Sequence, residues 1–468
     1  MAQNYILLET INLTQSAASV SFDNLPASGY TDLKVVHSTR GTVTDSSDPY
    51  DLIFTLNATS TIASKVIRGS GSTAASNSIT DRILRAGAVP SNWTANTFSN
   101  GEIYIPNYTG SQNKSWSSDA VTENNSSSAD RSMVAGLTAI AAAITSITLA
   151  PLAGSFAANS TFSLYGLAAV GTTPAIAPKA SGGNIVANDG TYWYHAFLSS
   201  GTFTPATELS CDVLVVAGGG SGGTGGNSGG AGGGGAGGLL YFPSQTVSTA
   251  ETVTIGAGGA AVSVTGGTAL NGTTGNDSQF GSLTLVKGGG YGGGGQLNST
   301  YGTGGNGGSG GGAGRWSDSI SVSGGSASPS GQGFGGGAST TTGGGRGSGG
   351  GGGAGVAGTP GINTTNNDGS GGNGLNTYSA WANATNTGAN SGYYAGGGGG
   401  SSVYSANGTG GLGGGGAGAV ATGSAQTGQS GVANTGGGGA GMGGGDAAVL
   451  KTSGAGGSGI ILIRYAMV

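Results

Sequence analysis

The chain has 468 residues, of which 107 are glycine and only 7% are charged, and its formal net charge is −5. So few charges give an unfolded chain little help in staying dissolved, and the composition therefore favours a packed protein over a disordered one. The sequence has no Lys/Arg run, which argues against nucleic acid as a partner, and no apolar stretch long enough to span a bilayer.

The N-terminus and the cysteine content set further limits. The opening MAQNYILLETINLTQ lacks a basic segment followed by an apolar one, so we expect no secretory signal. The single cysteine, Cys211, excludes an internal disulfide and a cysteine-based zinc site. Within SCDVLVVAGG it is predicted to be a small buried residue.

Short apolar or alternating runs, separated by turn-forming residues, follow one another over the first 170 residues. They include YILLETINLT, SVSFDNL, DLKVVHS, YDLIFTLNA, DRILRAGAV and GEIYIPNYTG. This spacing predicts a jelly-roll-like β-sandwich over 1–170 and an all-β fold class. The alanine-rich AAITSITLAPL has a β-branched run before Pro151 and no capping box, so it is predicted to be a strand. STFSLYGLAAV is predicted to close the domain.

A Pro/Gly/Ala-rich linker is predicted over 171–187, and a glycine-rich tip domain over 188–468. NIVANDGTYWYHAF is predicted to form a hairpin with its turn at Asn188-Asp189-Gly190. DVLVVAG and GSGIILIRY read as buried strands of one small sheet, with the glycine-rich chain between them. We therefore expect a β frame (188–217, 239–287 and 459–468) that carries a glycine-rich body (288–458).

The glycine runs are compatible with three kinds of ordered structure. Collagen requires a strict Gly-X-Y repeat with abundant proline, but the spacing is irregular and the chain has 11 prolines. A calcium-binding β-roll requires repeated nonapeptides, which are absent. The remaining structure is a bundle of polyglycine II helices, which have three residues per turn and bond only to their neighbours.

Polar insertions that carry aromatic residues separate the glycine runs. On a rigid scaffold such loops form a recognition surface, although some of the rings could instead cap the ends of the glycine helices. We predict receptor binding by the aromatic residues of these loops, which are Tyr291, Tyr301, Trp316, Tyr378, Trp381, Tyr393, Tyr394 and Tyr404.

The sequence offers little for catalysis. His37 and His195 lie in predicted strands and have no triad signature, and Asp318 is isolated, so we expect no enzyme and no catalytic residues. The G-x-G-x-x-G matches do not precede a helix, and no phosphate-binding P-loop is present. We expect no cofactor and no metal site. The oxygen-rich loop 363–374 is read as turn-rich because it lacks the spacing of an ion site, although a bound ion there stays open.

Two parts of the chain resemble phage proteins. EIYIPNYTGSQNKSWSSDAVTENNSSS and AAITSITLAPLAGSFAANSTFSLYGLA resemble the N-terminal β domain of phage tail and minor structural proteins. YHAFLSSGTFTP, DVLVVAGGGSGG, GGAGGLLYFPSQTV, VTIGAGG, NTGGGGAGMGG and GSGIILIRY resemble the glycine-rich C-terminal domain of phage tail proteins. The glycine-rich body is also similar to the polyglycine II adhesins at the tips of T-even-type tail fibres, in which the distal loops contact the host.

The resemblance implies a virion protein that is exposed on the particle and made in the host cytoplasm. Its N-terminal domain would bind other virion proteins, and its tip would bind a host surface receptor, either a polysaccharide or an outer-membrane protein. We expect a homo-oligomer, with a trimer favoured. The alternative is a head decoration or fibre protein whose glycine-rich body is a projecting spacer.

Overall fold

The computed structural model divides the chain into two compact units. The first comprises Met1–Lys179, Asn184–Trp193 and Ala466–Val468, and the second comprises Ala180–Gly183 and Tyr194–Tyr465. The residues that the structure describes are 5–44, 50–59, 62–79, 83–123, 129–168, 178–226, 229–295, 302–315, 321–340, 347–362, 368–402, 408–420, 425–445 and 449–467.

Nearly all the regular secondary structure consists of strands, which confirms the predicted all-β fold class. In chain order the elements are β1 (Tyr5–Asn12), β2 (Val20–Asp23), β3 (Tyr30–Thr39), β4 (Tyr50–Leu56), β5 (Ile62–Gly69), β6 (Ala74–Ile79), β7 (Ile83–Ala88), β8 (Ser99–Ile105), β9 (Lys114–Glu123), β10 (Ala129–Thr138), β11 (Ser146–Pro151), β12 (Thr161–Ala168), β13 (Ala180–Ser181), β14 (Ile185–Asn188), β15 (Tyr192–Phe197), β16 (Gly201–Pro205), β17 (Leu209–Val216), β18 (Leu239–Val247), β19 (Glu251–Thr254), β20 (Ser263–Val264), β21 (Gln279–Phe280), α1 (Ser379–Thr385), β22 (Ala419–Val420), β23 (Gln426–Thr427), β24 (Met442–Gly443), β25 (Lys451–Thr452) and β26 (Ile460–Ala466). The described residues contain no helix with the length and apolar character that a membrane span requires.

The first unit is a jelly roll. One sheet has the strand order β1-β12-β3-β8, and the other has β2-β11-β4-β7, with every pair antiparallel. Counted along the chain, these eight strands lie in the orders 1-8-3-6 and 2-7-4-5, the double Greek key of a jelly roll. The hairpins β5–β6 and β9–β10 widen the first sheet, and β14 pairs with β1.

Alternating residues of these strands form the core of the first unit. In β9 the burial pattern changes at nearly every residue, as expected for a strand with one face on the core and the other on solvent. Phe22, Leu33, Phe54, Ile103 and Leu149 are fully buried in this core. The strand predicted within AAITSITLAPL is confirmed as β11, and the closing strand is confirmed as β12.

The C-terminal part of the predicted linker 171–187 contains strands. Residues 171–177 lie outside the described residues, but β13 pairs with β16 and β14 pairs with β1. Between them Gly182 has a φ of 107°, and a Cβ there would lie 2.1 Å from the Thr202 carbonyl oxygen. The glycines of this segment therefore allow close backbone approach, whereas the sequence reading took them as a sign of flexibility.

The second unit contains the predicted small sheet. β17 pairs antiparallel with β18 on one side and with β26 on the other, which confirms that DVLVVAG and GIILIRY share a sheet. Residues 213–216 of β17 are completely buried. We call β17, β18 and β26 the frame sheet.

The chain continues from β17 as a rod without internal hydrogen bonds. From Gly218 to Gly223, successive backbone N–H groups donate to three neighbouring segments in rotation. Gly218 and Ser221 donate to Asn276 and Thr273, Gly219 and Gly222 to Gly457 and Gly454, and Gly220 and Gly223 to Gly235 and Gly232. A repeat of three residues with only lateral bonds is the hydrogen-bonding pattern of a polyglycine II helix.

The rod 229–238, which runs directly into β18, lies at the centre of this lattice and is fully buried. Over residues 232–238 it donates hydrogen bonds to three neighbouring segments and accepts them from three others, so six rods surround it. The donor contacts are with 287–293, 349–352 and 436–439, and the acceptor contacts are with 220–223, 309–312 and Gly398. This rod lies outside the predicted body (288–458), as do the lattice residues 218–226 and 272–276.

The central rod requires glycine because no space is available for a side chain. A Cβ at Gly233 or Gly234 would lie 2.1 Å from the carbonyl oxygen of Gly398 or Gly220 respectively. Neither glycine has a φ in the left-handed region. The backbone conformation would thus accept alanine, but the spacing between rods would not.

Gly234→Ala is therefore expected to destabilise the second unit by about 3 kcal/mol or more, since overpacking forces the rods apart. Gly201→Ala is the matched control, because its Cβ would lie 3.5 Å from the nearest atom, in the Phe197 ring, and its φ is also outside the left-handed region. That control should be neutral or slightly stabilising. Chemical denaturation would measure both effects, and equal stabilities of the two variants would contradict the lattice.

Candidate functional site

The structure describes five of the eight predicted receptor-binding aromatics. Tyr301, Trp316 and Tyr404 lie outside the described residues. The five that it describes are Tyr291, Tyr378, Trp381, Tyr393 and Tyr394.

Tyr378 and Trp381 belong to the single described helix, α1, and its N-terminal flank. The helix ends where Asn386 adopts a left-handed conformation (φ 48°) and its backbone N–H bonds back to the helix. Trp381 is 3% exposed, and its ring centroid lies 6.0 Å from those of Tyr194 and Tyr241. Trp381 is thus an interior residue that fixes α1 against the frame sheet.

A charged pair completes this aromatic cluster. Arg464 of β26 lies directly opposite Asp212 of β17, and its Nε and Nη2 donate to Asp212 Oδ2 at 3.0 and 2.9 Å. The Arg464 guanidinium also lies 4.5 Å from the centre of the Trp381 ring. Burial opposes ionisation of Asp212, but hydrogen bonds from the Ser244 amide and from Arg464 outweigh it and lower the pKa of Asp212.

Tyr393 and Tyr394 occupy different environments. Tyr394 is fully buried, its hydroxyl lies 2.6 Å from the Thr387 hydroxyl, and burial raises its pKa well above the usual range. Tyr393 is half-buried and pairs with Ala389 through two backbone hydrogen bonds. Of these two, only Tyr393 has a side chain that reaches solvent.

Tyr291 lies within a rod, although a position in a loop was predicted. Its backbone carbonyl accepts from Gly305, and a Cβ on Gly305 would lie 2.5 Å from the Tyr291 ring. The ring is half-buried on the surface of the lattice. The five described aromatics therefore do not form one common surface.

The lattice has two different ends. At the frame end, the central rod meets β18. At the opposite end, which we call the far end, the Gly226 amide donates to the Gly295 carbonyl oxygen, and the backbones of Gly230 and Arg315 bond to each other. Ala231 donates to the Ser401 carbonyl there.

The stretches that contain Tyr301, Trp316 and Tyr404 follow in sequence directly after residues 295, 315 and 402. Gly295, Arg315 and Ser401, which precede these stretches, lie at the far end. Tyr378, Trp381, Tyr393 and Tyr394 come from the segment 374–395 instead, part of which packs against the frame sheet.

A buried polar cluster closes the far end. Asp368 Oδ1 accepts from the Ser348 amide at 3.1 Å and from its hydroxyl at 3.4 Å, and the same hydroxyl lies 2.7 Å from the Ser401 carbonyl oxygen. Burial raises the pKa of Asp368 to about 7, against the opposing hydrogen bonds from Ser348 and Ser402. Asp368 belongs to the stretch 363–374 that could bind an ion; residues 363–367 of it lie outside the described residues, and the Asp368 carboxyl group accepts hydrogen bonds from Ser348.

Both histidines are buried. His195 Nδ1 lies 2.6 Å from the Gly182 carbonyl oxygen, and its Nε2 lies 3.0 Å from the Tyr465 hydroxyl. Burial lowers the pKa of both His37 and His195 to about 4, so both are neutral at pH 7. No group of three His, Cys, Asp or Glu side chains with metal-site geometry occurs among the described residues.

Sequence reasoning missed Asp212, Arg464 and Asp368. A usable signal existed for the first two, since each is an isolated charge in one of two apolar strands that were predicted to share a sheet. Opposite charges in such strands are expected to pair. Asp368 had no such signal, because its partner Ser348 belongs to a glycine run with no distinguishing pattern.

Comparison with protein-family models matches residues 198–466, more than half of the chain, to a glycine-rich domain. A search of curated proteins found no match to the chain. The family match spans the frame sheet and the entire glycine lattice.

Trp381→Ala is expected to destabilise the second unit by about 3–5 kcal/mol, because it removes a large buried ring. Tyr291→Ala is the matched control and should have a smaller effect, since that ring is half-buried on the lattice surface. Denaturant titration followed by circular dichroism would measure both. A Trp381 variant as stable as wild type would contradict its placement in the interior.

Asp368→Asn is expected to remove a pH dependence of stability. The raised pKa of Asp368 means that its contribution is fully present below the unfolded pKa, near 4, and is lost as the pH rises through about 7. Asparagine resembles the protonated acid, so at pH 8 the variant should be more stable by roughly 2–4 kcal/mol and at pH 4 nearly equal to wild type.

The comparison with Asp277→Asn provides the control for this titration. Asp277 Oδ2 forms an ion pair with Lys287 Nζ at 2.7 Å, so removing the Asp277 charge should give no gain in stability at pH 8. Urea denaturation at pH 4, 6 and 8 would measure all three proteins. If the stability difference between wild type and Asp368→Asn were the same at every pH, the burial of a protonated carboxyl group would be contradicted.

Proposed function

This chain belongs to the glycine-rich domain family, and from that premise we propose that it is a phage virion protein of the tail or tail fibre. In this proposal the second unit is a receptor-binding tip that adheres to the host surface. The jelly roll attaches it to other virion proteins, consistent with the resemblance of the N-terminal segments to phage tail proteins.

The observation that carries the proposal is that the two ends of the glycine lattice differ. Interior positions such as Gly233 and Gly234 have no space for a side chain, so the body of the lattice offers little chemistry for recognition. Side chains that could bind a ligand are therefore restricted to the surface and to the connections between rods. At the frame end, part of the connecting segment is used to pack α1 against β18.

The far end has connections that enter from several rods side by side. Gly295, Arg315 and Ser401 all bond to the N-terminal part of the central rod or to the turn before it. Three of the predicted receptor-binding residues, Tyr301, Trp316 and Tyr404, follow these residues in sequence. We therefore assign host binding to the far end, and Trp381 and Tyr394 to the structural interior.

Such a tip would bind weakly per copy and gain strength from several copies on one particle. The receptor is a polysaccharide or an outer-membrane protein of the host. A rigid lattice favours this role because it holds the connecting segments at fixed spacing and so reduces the entropy lost on binding.

The test is competition for adsorption. Purified wild-type protein should reduce phage adsorption to host cells, and a Tyr301→Ala/Trp316→Ala/Tyr404→Ala variant should compete at least about tenfold less well, as expected for loss of aromatic anchors. Phe334→Ala is the matched control, because Phe334 is 47% exposed and its carbonyl accepts from Gly310, which lies toward the frame end.

Circular dichroism and thermal unfolding must be unchanged in both variants for the comparison to hold. If neither wild type nor variant competes and virions that lack the protein adsorb normally but lose particle stability, the decoration or spacer alternative replaces the adhesin. If Phe334→Ala impairs competition and the triple variant does not, the assignment to the far end is wrong.

A further inference from the structure

The strand β6 is an open edge of the larger jelly-roll sheet. It pairs with β5 from Gly69↔Ala74 to Ser64↔Ile79 without a bulge, and the described residues provide no second partner. Residues 74–78 are all exposed, whichever face of the sheet their side chains occupy. Every second residue of such an edge directs an unpaired N–H and C=O outward.

β6 lacks the features by which edge strands usually avoid pairing. Its sequence AASNSI contains no charge and no proline, and the regular register with β5 excludes a bulge. The neighbouring charges are engaged within the sheet, since Arg68 forms an ion pair with Asp130 and Lys65 bonds to Ser78. The residues of β6 thus carry no charge of their own, and the Lys65 ammonium reaches the strand only at Ser78, near its end.

We propose that β6 pairs antiparallel with β6 of a second copy of this chain, joining two jelly rolls through one continuous sheet. Such an interface is isologous, because the same strand contributes from both sides of a two-fold axis. The proposal concerns the first unit only and is independent of host binding by the second unit.

The hydrogen-bonding pattern restricts the register of this pairing. Outward-facing backbone groups belong to residues of one parity, so directly opposite residues must have numbers with an even sum. Near the strand centre the two-fold axis then passes either through Ser76 or through Asn77. The residue on the axis lies opposite the same residue of the second copy. The pairs are Ala74↔Ser78 and Ala75↔Asn77 in the first register, or Ala75↔Ile79 and Ser76↔Ser78 in the second.

The edge is neutral, so two copies can meet there without placing like charges against each other. Each chain carries a formal charge of −5, so two copies repel each other on average and can approach most readily through a neutral surface. The whole hairpin segment 70–79 (SGSTAASNSI) is uncharged. Small Ser and Asn side chains on both sides of the axis avoid clashes and can hydrogen-bond across it.

Cysteine cross-linking in the full-length protein tests the register. Opposite residues of an antiparallel pair have Cα atoms about 4.5–5.5 Å apart, within disulfide range. Ser76→Cys or Asn77→Cys should therefore form a covalent dimer under mild oxidation, while the buried Cys211 stays unreactive. Ser115→Cys is the control, since Ser115 is exposed on β9, inside the sheet, and should not cross-link.

Sedimentation velocity provides the second measurement. The wild-type chain should dimerise, and Ser76→Lys/Asn77→Lys should be monomeric because it places like charges against each other at the axis. Ser115→Lys should remain dimeric, and circular dichroism should be unchanged for all three. A wild-type protein that stays monomeric at high micromolar concentration overturns the proposal, and so does an oligomer that is insensitive to the lysines and gives no cross-link at 76 or 77.

Discussion

The second unit depends on the lateral hydrogen bond between backbones that approach each other without side chains. From Gly232 to Ala236 each residue of the central rod donates to one neighbour and accepts from another, and the three-residue repeat distributes these bonds over six rods. One such bond contributes only about 0.5–1.5 kcal/mol net, while each ordered glycine loses more backbone entropy than any other residue. The lattice is therefore stable only as a cooperative whole.

This constraint separates the functions of the residues. Within the lattice, glycine is required by the distance between rods, as the carbonyl of Gly220 beside Gly234 shows. Larger side chains are placed where the lattice stops. At the frame end the stacking of Trp381 on Arg464 holds α1 against the sheet. At the far end the Asp368 carboxylate accepts a hydrogen bond from the backbone amide of Ser348.

The sequence predicts elements whose signal is local. β17 and β26 are continuous β-branched runs, and the run before Pro151 marks β11, so each was identifiable from residue types alone. The jelly roll followed from the number and spacing of short strands. The polyglycine II structure could be inferred by excluding collagen and the β-roll, since the low charge required packing.

The remaining features depend on contacts between distant segments. Nothing in GGAGGGGAGG indicates that this rod is central while a similar run lies outside it, because identical glycines carry no positional information. Trp381 and Tyr394 occur in a polar, glycine-rich context that is typical of exposed loops, but α1 and Thr387 bury them. β14 was predicted as the first strand of a hairpin, whereas β13 was not predicted, because its two residues lie in a Pro/Gly/Ala-rich segment.

Hydrogen exchange of the backbone amides in 229–238 tests the central claim most directly. If these amides donate to the rods that surround them, they should exchange only through unfolding of the whole second unit, at rates like those of β17. Gly234→Ala should accelerate their exchange, and Gly201→Ala should leave it unchanged. Exchange of 229–238 at unstructured rates, while β17 and β26 stay protected, would contradict the lattice.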